Sequence, residues 1–185
     1  MSKNSTNANT RKLAAMGIFA AMSVVLVFLI HFPIFPAAPF LEYDPADIPI
    51  LIVTFAYGPL SGIIVTVIAA VIQGLTVSAQ SGPYGTIMHI ISTGTYVLVV
   101  GLIYRVKRDT LGAGIAIICG VLVNAAVMAA ANLVITPIFM GAPVEVVKAM
   151  LIPAIIPFNL IKAGGNGLIT FMLYHLLYAA IRNRG

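Results

Sequence analysis

The sequence predicts an all-α integral membrane protein, a bundle of six transmembrane helices with cytoplasmic N- and C-termini and a ligand pocket near the outer face. Three observations predict it. The 185-residue chain is 61% hydrophobic and only 8% charged, with a mean hydropathy of +1.07, whereas a soluble domain carries about a quarter charged residues. Six apolar stretches follow one another, against a spanning norm of ~20 residues. Most of the basic residues fall in segments that six spans place on one side, as the positive-inside rule requires.

Residues 1–10 are polar and Asn-rich and read as a disordered cytoplasmic tail, with residues 11–185 forming a single membrane domain. The first apolar stretch, about 13–31, runs past the length of a signal-peptide core. Between it and the second stretch lies HFPIFPAAPFLEYDPADIP (31–49), with five prolines and three acids. Proline locks φ and disfavours helix at the preceding residue, so this loop is an extended, semi-rigid flap. Glu42, Asp44 and Asp47 in it read as solvated or capping groups, Asp47 as an N-cap of the second stretch. That second stretch, 47–57, is short: it is either a span or a re-entrant piece. It stops at Gly58-Pro59. The third stretch covers 60–77 and the fourth 84–104, joined by the turn-rich SAQSGPYG (78–85). The fifth covers 112–135, and an outer loop at 136–150, with a short helix near its end, leads to the sixth at 152–181.

Charge decides the count. With the N-terminus inside, six spans also place the 105–111 loop and the C-terminus inside. Those three segments hold Lys3, Arg11, Lys12, Arg105, Lys107, Arg108, Arg182 and Arg184, eight of the ten basic residues. Glu42, Asp44, Asp47 and Glu145 fall outside and only Asp109 inside. Five spans would strand one terminal basic cluster on the wrong side. The net charge of +5 therefore expresses topology and calls for no nucleic-acid partner.

The most informative residue is Lys162, the sole charge in 151–181. A lone ammonium at membrane depth costs at least ~2.5 kcal/mol and by default marks a site with a partner; the bland reading is snorkelling to the interface. Asn159 and Asn166 share its helical face. Gln73, His89, Thr93 and Asn132 lie at the same depth in the outer half, where a pocket in a bundle would sit. For the asparagines the competing reading is interhelical hydrogen bonding, which suits Asn124, nearer mid-membrane. His31 and His175 read as interfacial. The inner half is almost wholly apolar, unlike a pore or proton relay.

Gly17 and Ala21, four residues apart on the first span, let another helix approach closely, either a partner docking from the cytoplasmic side or a neighbour within the bundle. The single Cys119 excludes an intrachain disulfide and a cysteine-based metal site. No paired carboxylates, nucleophile–base set or nucleotide-binding glycine loop occurs, so an enzyme is not expected and no cofactor or metal is implied.

Five segments resemble the substrate-binding S components of energy-coupling factor (ECF) vitamin importers, most closely the riboflavin-specific type. They are GIFAAMS (17–23), FPAAPFLEYDPADIPILIVTFAYGPLSG (35–62), GTIMHII (85–91), NLVITPIF (132–139) and PFNLIKAGGNG (157–167). The resemblance implies a multi-pass subunit of a prokaryotic cell membrane that holds riboflavin near the outer face. It also implies partners: a transmembrane coupling subunit bound through Gly17 and Ala21, and two ABC-type ATPases. Asn132, Asn159 and Lys162 would then hydrogen-bond the flavin ring edge, with Gln73 and His89 nearby. Leu41, Tyr43 and Tyr84 would pack against its faces. The chain departs from that type at Thr86, where a glutamate is expected, at His89, where an asparagine is expected, and at Leu133, where an aromatic residue is expected. Another vitamin or purine-like heterocycle on the same scaffold, or a standalone secondary transporter, is the alternative.

Overall fold

The computed structural model describes the backbone of residues 3–36 and 38–182, and the side chains of 9–36 and 38–174; the His175 side chain lies outside the described residues. Helix α1 spans Lys3–Leu29 and the flap follows. A two-residue hairpin ties the flap's ends, β1 (Phe32–Pro33) pairing antiparallel with β2 (Glu42–Tyr43). Then come α2 (Asp47–Tyr57), α3 (Pro59–Leu75), a 3₁₀ turn at Ala79–Ser81, α4 (Gly82–Val106), α5 (Thr110–Met140), α6 (Val144–Met150), a π turn at Leu151–Ile155 and α7 (Ile156–Arg182).

Local chemistry sets most boundaries. Gly58 has φ +89°, a region that favours glycine, and Pro59 opens α3 where its missing N–H costs nothing. Asp109 caps α5, its Oδ1 accepting from the Gly112 N–H at 2.6 Å. Three boundaries differ from expectation. The polar segment 3–10, expected to be disordered, is helical and continuous with α1. Helix α5 runs through Pro137 to Met140; its stop is Gly141 (φ +61°), whose N–H, with that of Ala142, bonds the Pro137 carbonyl. The last apolar stretch begins as a π turn, a wider ring that suits Pro153 and Pro157, neither of which has an N–H to donate.

Helix α2 sits centrally, in contact with α1, α3, α4 and α7, while α1 rests at the edge against α2 and α3. The core joins Ile50, Leu51 and Val53 of α2 to Val65 and Ala69 of α3 and Tyr96, Val97 and Val100 of α4. Tyr96 is fully buried and donates to the Ala163 carbonyl at 3.0 Å, linking α4 to α7. Gly120 makes room for it: a Cβ there would lie 2.7 Å from the Tyr96 ring. The outside is apolar too, with Ile18, Phe28, Leu60, Leu122, Val134 and Leu168 exposed, a surface that suits lipid. Among the described residues, Asn9–Leu29, Ala79–Val106, Thr110–Met140 and Val144–Tyr174 are long and apolar enough to cross a membrane. Helices α2 and α3 are shorter.

Candidate functional site

The shortness of α2 makes the site. At 1.5 Å per residue its 11 residues reach only about 16 Å, and the flap residues just before it are buried among α4 and α7. Asp44 and Asp47 are buried, which corrects their reading as solvated groups. Asp44 pairs with Lys162, Oδ2 to Nζ 2.5 Å. Its other oxygen accepts from the Ala46 N–H at 3.0 Å and its carbonyl accepts from Asn166 at 2.9 Å. Asp47 is the first residue of α2 and caps nothing with its side chain. It accepts from Thr93 of α4 at 2.6 Å and from Asn166 of α7 at 2.9 Å.

Two carboxylates thus lock the flap to α4 and α7, and one of them neutralises the lone ammonium.

Beside this lock opens a cleft of about 150 Å³. Of the residues singled out by sequence, Leu41, Gln73, Tyr84, His89, Asn132, Asn159 and Lys162 all line it. Tyr43 does not. Its hydroxyl donates to Asn166 Oδ1 at 3.0 Å and its ring packs 5.5 Å from Phe32, inside the flap. Asn166 itself serves the lock, and Asn124 accepts from Ser92 at 3.2 Å between α5 and α4, the helix-joining role expected of it.

Asn132 and Asn159 each donate to a carbonyl of their own helix at 2.8 Å. That fixes each side chain from behind. Two buried atoms in the cleft, Gln73 Nε2 and His89 Nε2, have no hydrogen-bond partner. Buried polar groups are rarely left so, and a bound ligand or water would satisfy them.

Beyond Tyr84, sequence reasoning missed the aromatic residues of the cleft. Phe139 lies 6.4 Å from Phe40 and 6.0 Å from Tyr84, ring to ring, and with Phe158 these line it. They come from the flap and three helices, so no spacing in the chain connects them. Asp44 had a signal: Lys162 needs a counter-ion at its own depth, and the flap holds three of the five acids.

On α1, Met16, Ala20, Ser23 and Val27 face the bundle, while Gly17 and Ala21 are exposed. A Cβ at Gly17 would meet nothing within 4 Å. The small-residue pair is therefore not used for packing inside the bundle.

Comparison with known proteins defines the class of molecule. Residues 11–174 match the family described as the substrate-specific component of ECF transporters, and the chain belongs to that family. It is a transporter's substrate-specific component, not an enzyme. Among its relatives, the riboflavin transporter RibU of Staphylococcus aureus is 28% identical over 179 residues, covering 94% of this chain and 91% of that protein. The riboflavin transporter FmnP of Bacillus subtilis is 26% identical over 181 residues, covering 93% and 92%. A solved S component of a bacterial ECF transporter superposes with a TM-score of 0.83 at 27% identity, over 94% of this chain and 98% of that one.

Proposed function

We propose that this protein captures riboflavin at the outer membrane face and delivers it through an ECF complex of a coupling subunit and two ABC ATPases. The observation that carries this reading is the cleft's set of fixed or unpaired polar atoms among aromatic walls: Lys162, Asn132, Asn159, Gln73 and His89 beside Phe40, Tyr84 and Phe139. A flavin ring is planar and apolar on its faces, with two carbonyls and an imide N–H along one edge. Lysine has three donors, so Lys162 can hold Asp44 and still donate to a ring carbonyl, while the asparagine amides supply donors and acceptors. At about 150 Å³ the cleft is below the ~300–1,000 Å³ of ligand sites in general, so riboflavin entry requires it to widen.

Six spans with both termini inside account for the basic clusters, with α2 completed at membrane depth by the buried flap. Polar groups away from the cleft support capture followed by reorientation of the whole subunit over a solvated path through it. Thr54, Thr66 and Thr170 each donate to the carbonyl four residues back on their own helix, and Ser61 donates to the Tyr57 carbonyl across the α2–α3 corner. The exposed Gly17–Ala21 face of α1 is the docking surface for the coupling subunit.

The absorption spectrum of the protein purified in detergent tests the substrate. Visible flavin bands, or quenching of added riboflavin fluorescence, are expected. A colourless protein that leaves riboflavin fluorescence unchanged would move the assignment to another heterocycle, the departures at Thr86 and His89 being where specificity changed. Separately, Gly17→Leu with Ala21→Leu should abolish uptake while leaving riboflavin affinity intact.

A further inference from the structure

A second recess, of about 330 Å³, opens at the end of α2 and α4 opposite the cleft. One wall is the α2–α3 corner, with Phe55, Tyr57 and Gly58; the other is the end of α4 and its following loop, with Tyr104, Arg105 and Arg108. Nothing in riboflavin capture uses it. Its charge has one sign. Arg105 and Arg108 line it and no carboxylate does, and Lys12 of α1 reaches the same corner, its Nζ 6.0 Å from the Tyr57 ring centroid. Among the described residues Lys107 pairs with Asp109, but neither Arg105 nor Arg108 has an ion-pair partner. Gly58 lines it, and a Cβ built there would enter open space.

The surface leading to the recess is apolar. Leu102 and Val106 lie one turn apart on α4, Leu102 three residues before Arg105 and so on its face; they are 49% and 89% exposed, and Leu60, just past the corner, is 70% exposed. Two planar guanidinium groups suit a phosphate, and an apolar strip ending at them suits a molecule with a phosphate at one end and hydrocarbon at the other.

We propose that this recess is a phosphate-binding site, filled by the headgroup of an anionic phospholipid whose chains lie along Leu60, Leu102 and Val106. The chemistry rests on these residues alone; only its placement in the inner leaflet rests on the topology proposed above. A bound lipid there would hold the α2–α3 corner at a defined depth.

Native mass spectrometry of the full-length protein in detergent, titrated with phosphatidylglycerol or phosphatidylcholine, tests it. The wild type should retain phosphatidylglycerol preferentially. Arg105→Gln with Arg108→Gln should weaken that binding about 30-fold, about fivefold per arginine. Lys107→Gln should leave it unchanged. Riboflavin quenching, read on the same double variant, should stay at the wild-type level, which separates a failure here from a misfolded protein or a wrong substrate. Inorganic phosphate is titrated in parallel against chloride at equal ionic strength. If it alone raises the melting temperature with the same arginine dependence, the site stands as a phosphate site and its ligand is a free anion. Equal binding of the two lipids with no effect of inorganic phosphate, or a double variant that loses nothing, overturns the proposal.

Discussion

The two ends of the bundle treat polar atoms in opposite ways. Away from the flap, the buried hydroxyls of Thr54 and Thr66 bond carbonyls of their own helix, Phe55, Tyr104 and Tyr174 pack ring to ring, and the bond that joins α4 to α7 there, between the Tyr104 and Tyr174 hydroxyls at 2.6 Å, links two neutral groups. A hydroxyl satisfied within its own turn needs no partner elsewhere, so α2 and α3 pack by shape. At the flap end Asp44, Asp47, Thr93, Lys162 and Asn166 bond across elements as much as 122 positions apart, and Gln73 and His89 keep an unpaired buried atom. Polar groups that depend on distant partners are costly to lose. One end therefore supplies stability through packing, and the other holds in place the polar groups of the proposed ligand site.

Substitutions at the two ends should separate these roles. The largest effect belongs to Lys162→Met, which removes a ligand donor and strands the Asp44 carboxylate. Riboflavin affinity by fluorescence quenching should fall roughly 100-fold or more, and stability by about 3–5 kcal/mol. Adding Asp44→Asn should restore most of the stability and none of the affinity. Tight binding by the Lys162→Met protein would remove this residue from the site.

Next come Asn159→Leu and Asn132→Leu, each expected to weaken riboflavin about tenfold. Their melting temperatures should stay near wild type, because the Asn159 amide bonds the Ile155 carbonyl four residues back, and Asn132 bonds the Met128 carbonyl and the Thr136 hydroxyl on its own helix. In the packed half, Gly120→Val would press on Tyr96 and should cost about 1–3 kcal/mol in unfolding with riboflavin affinity unchanged. A large affinity change there would break the division of labour.

Much of this was legible in the chain. Hydropathy located the helices because burying or lipidating ~20 residues is a local matter of composition. The bounds of α2 followed from the proline-rich flap before it and Gly58-Pro59 after it. The stripe of Asn159, Lys162 and Asn166 followed from helical spacing. The run of α5 past Pro137 was not visible, because one lost hydrogen bond is affordable when the helix packs on both sides and a glycine stop lies four residues on.

What the sequence determined by itself is the set of helices, the shared face of Asn159, Lys162 and Asn166, and the need for a partner at Lys162. All three depend on residues within a turn or a span of each other. Only the tertiary structure decided that the partner is Asp44, that Asp47 anchors the flap to Thr93 and Asn166, and that Tyr43 turns away from the cleft to hold Asn166. It also decided that Asn166 leaves the ligand face its spacing suggested. Those contacts join residues from 46 to 123 positions apart. Their geometry is set by how far the flap sinks into the bundle before α2 begins, and no local pattern in the chain encodes that depth.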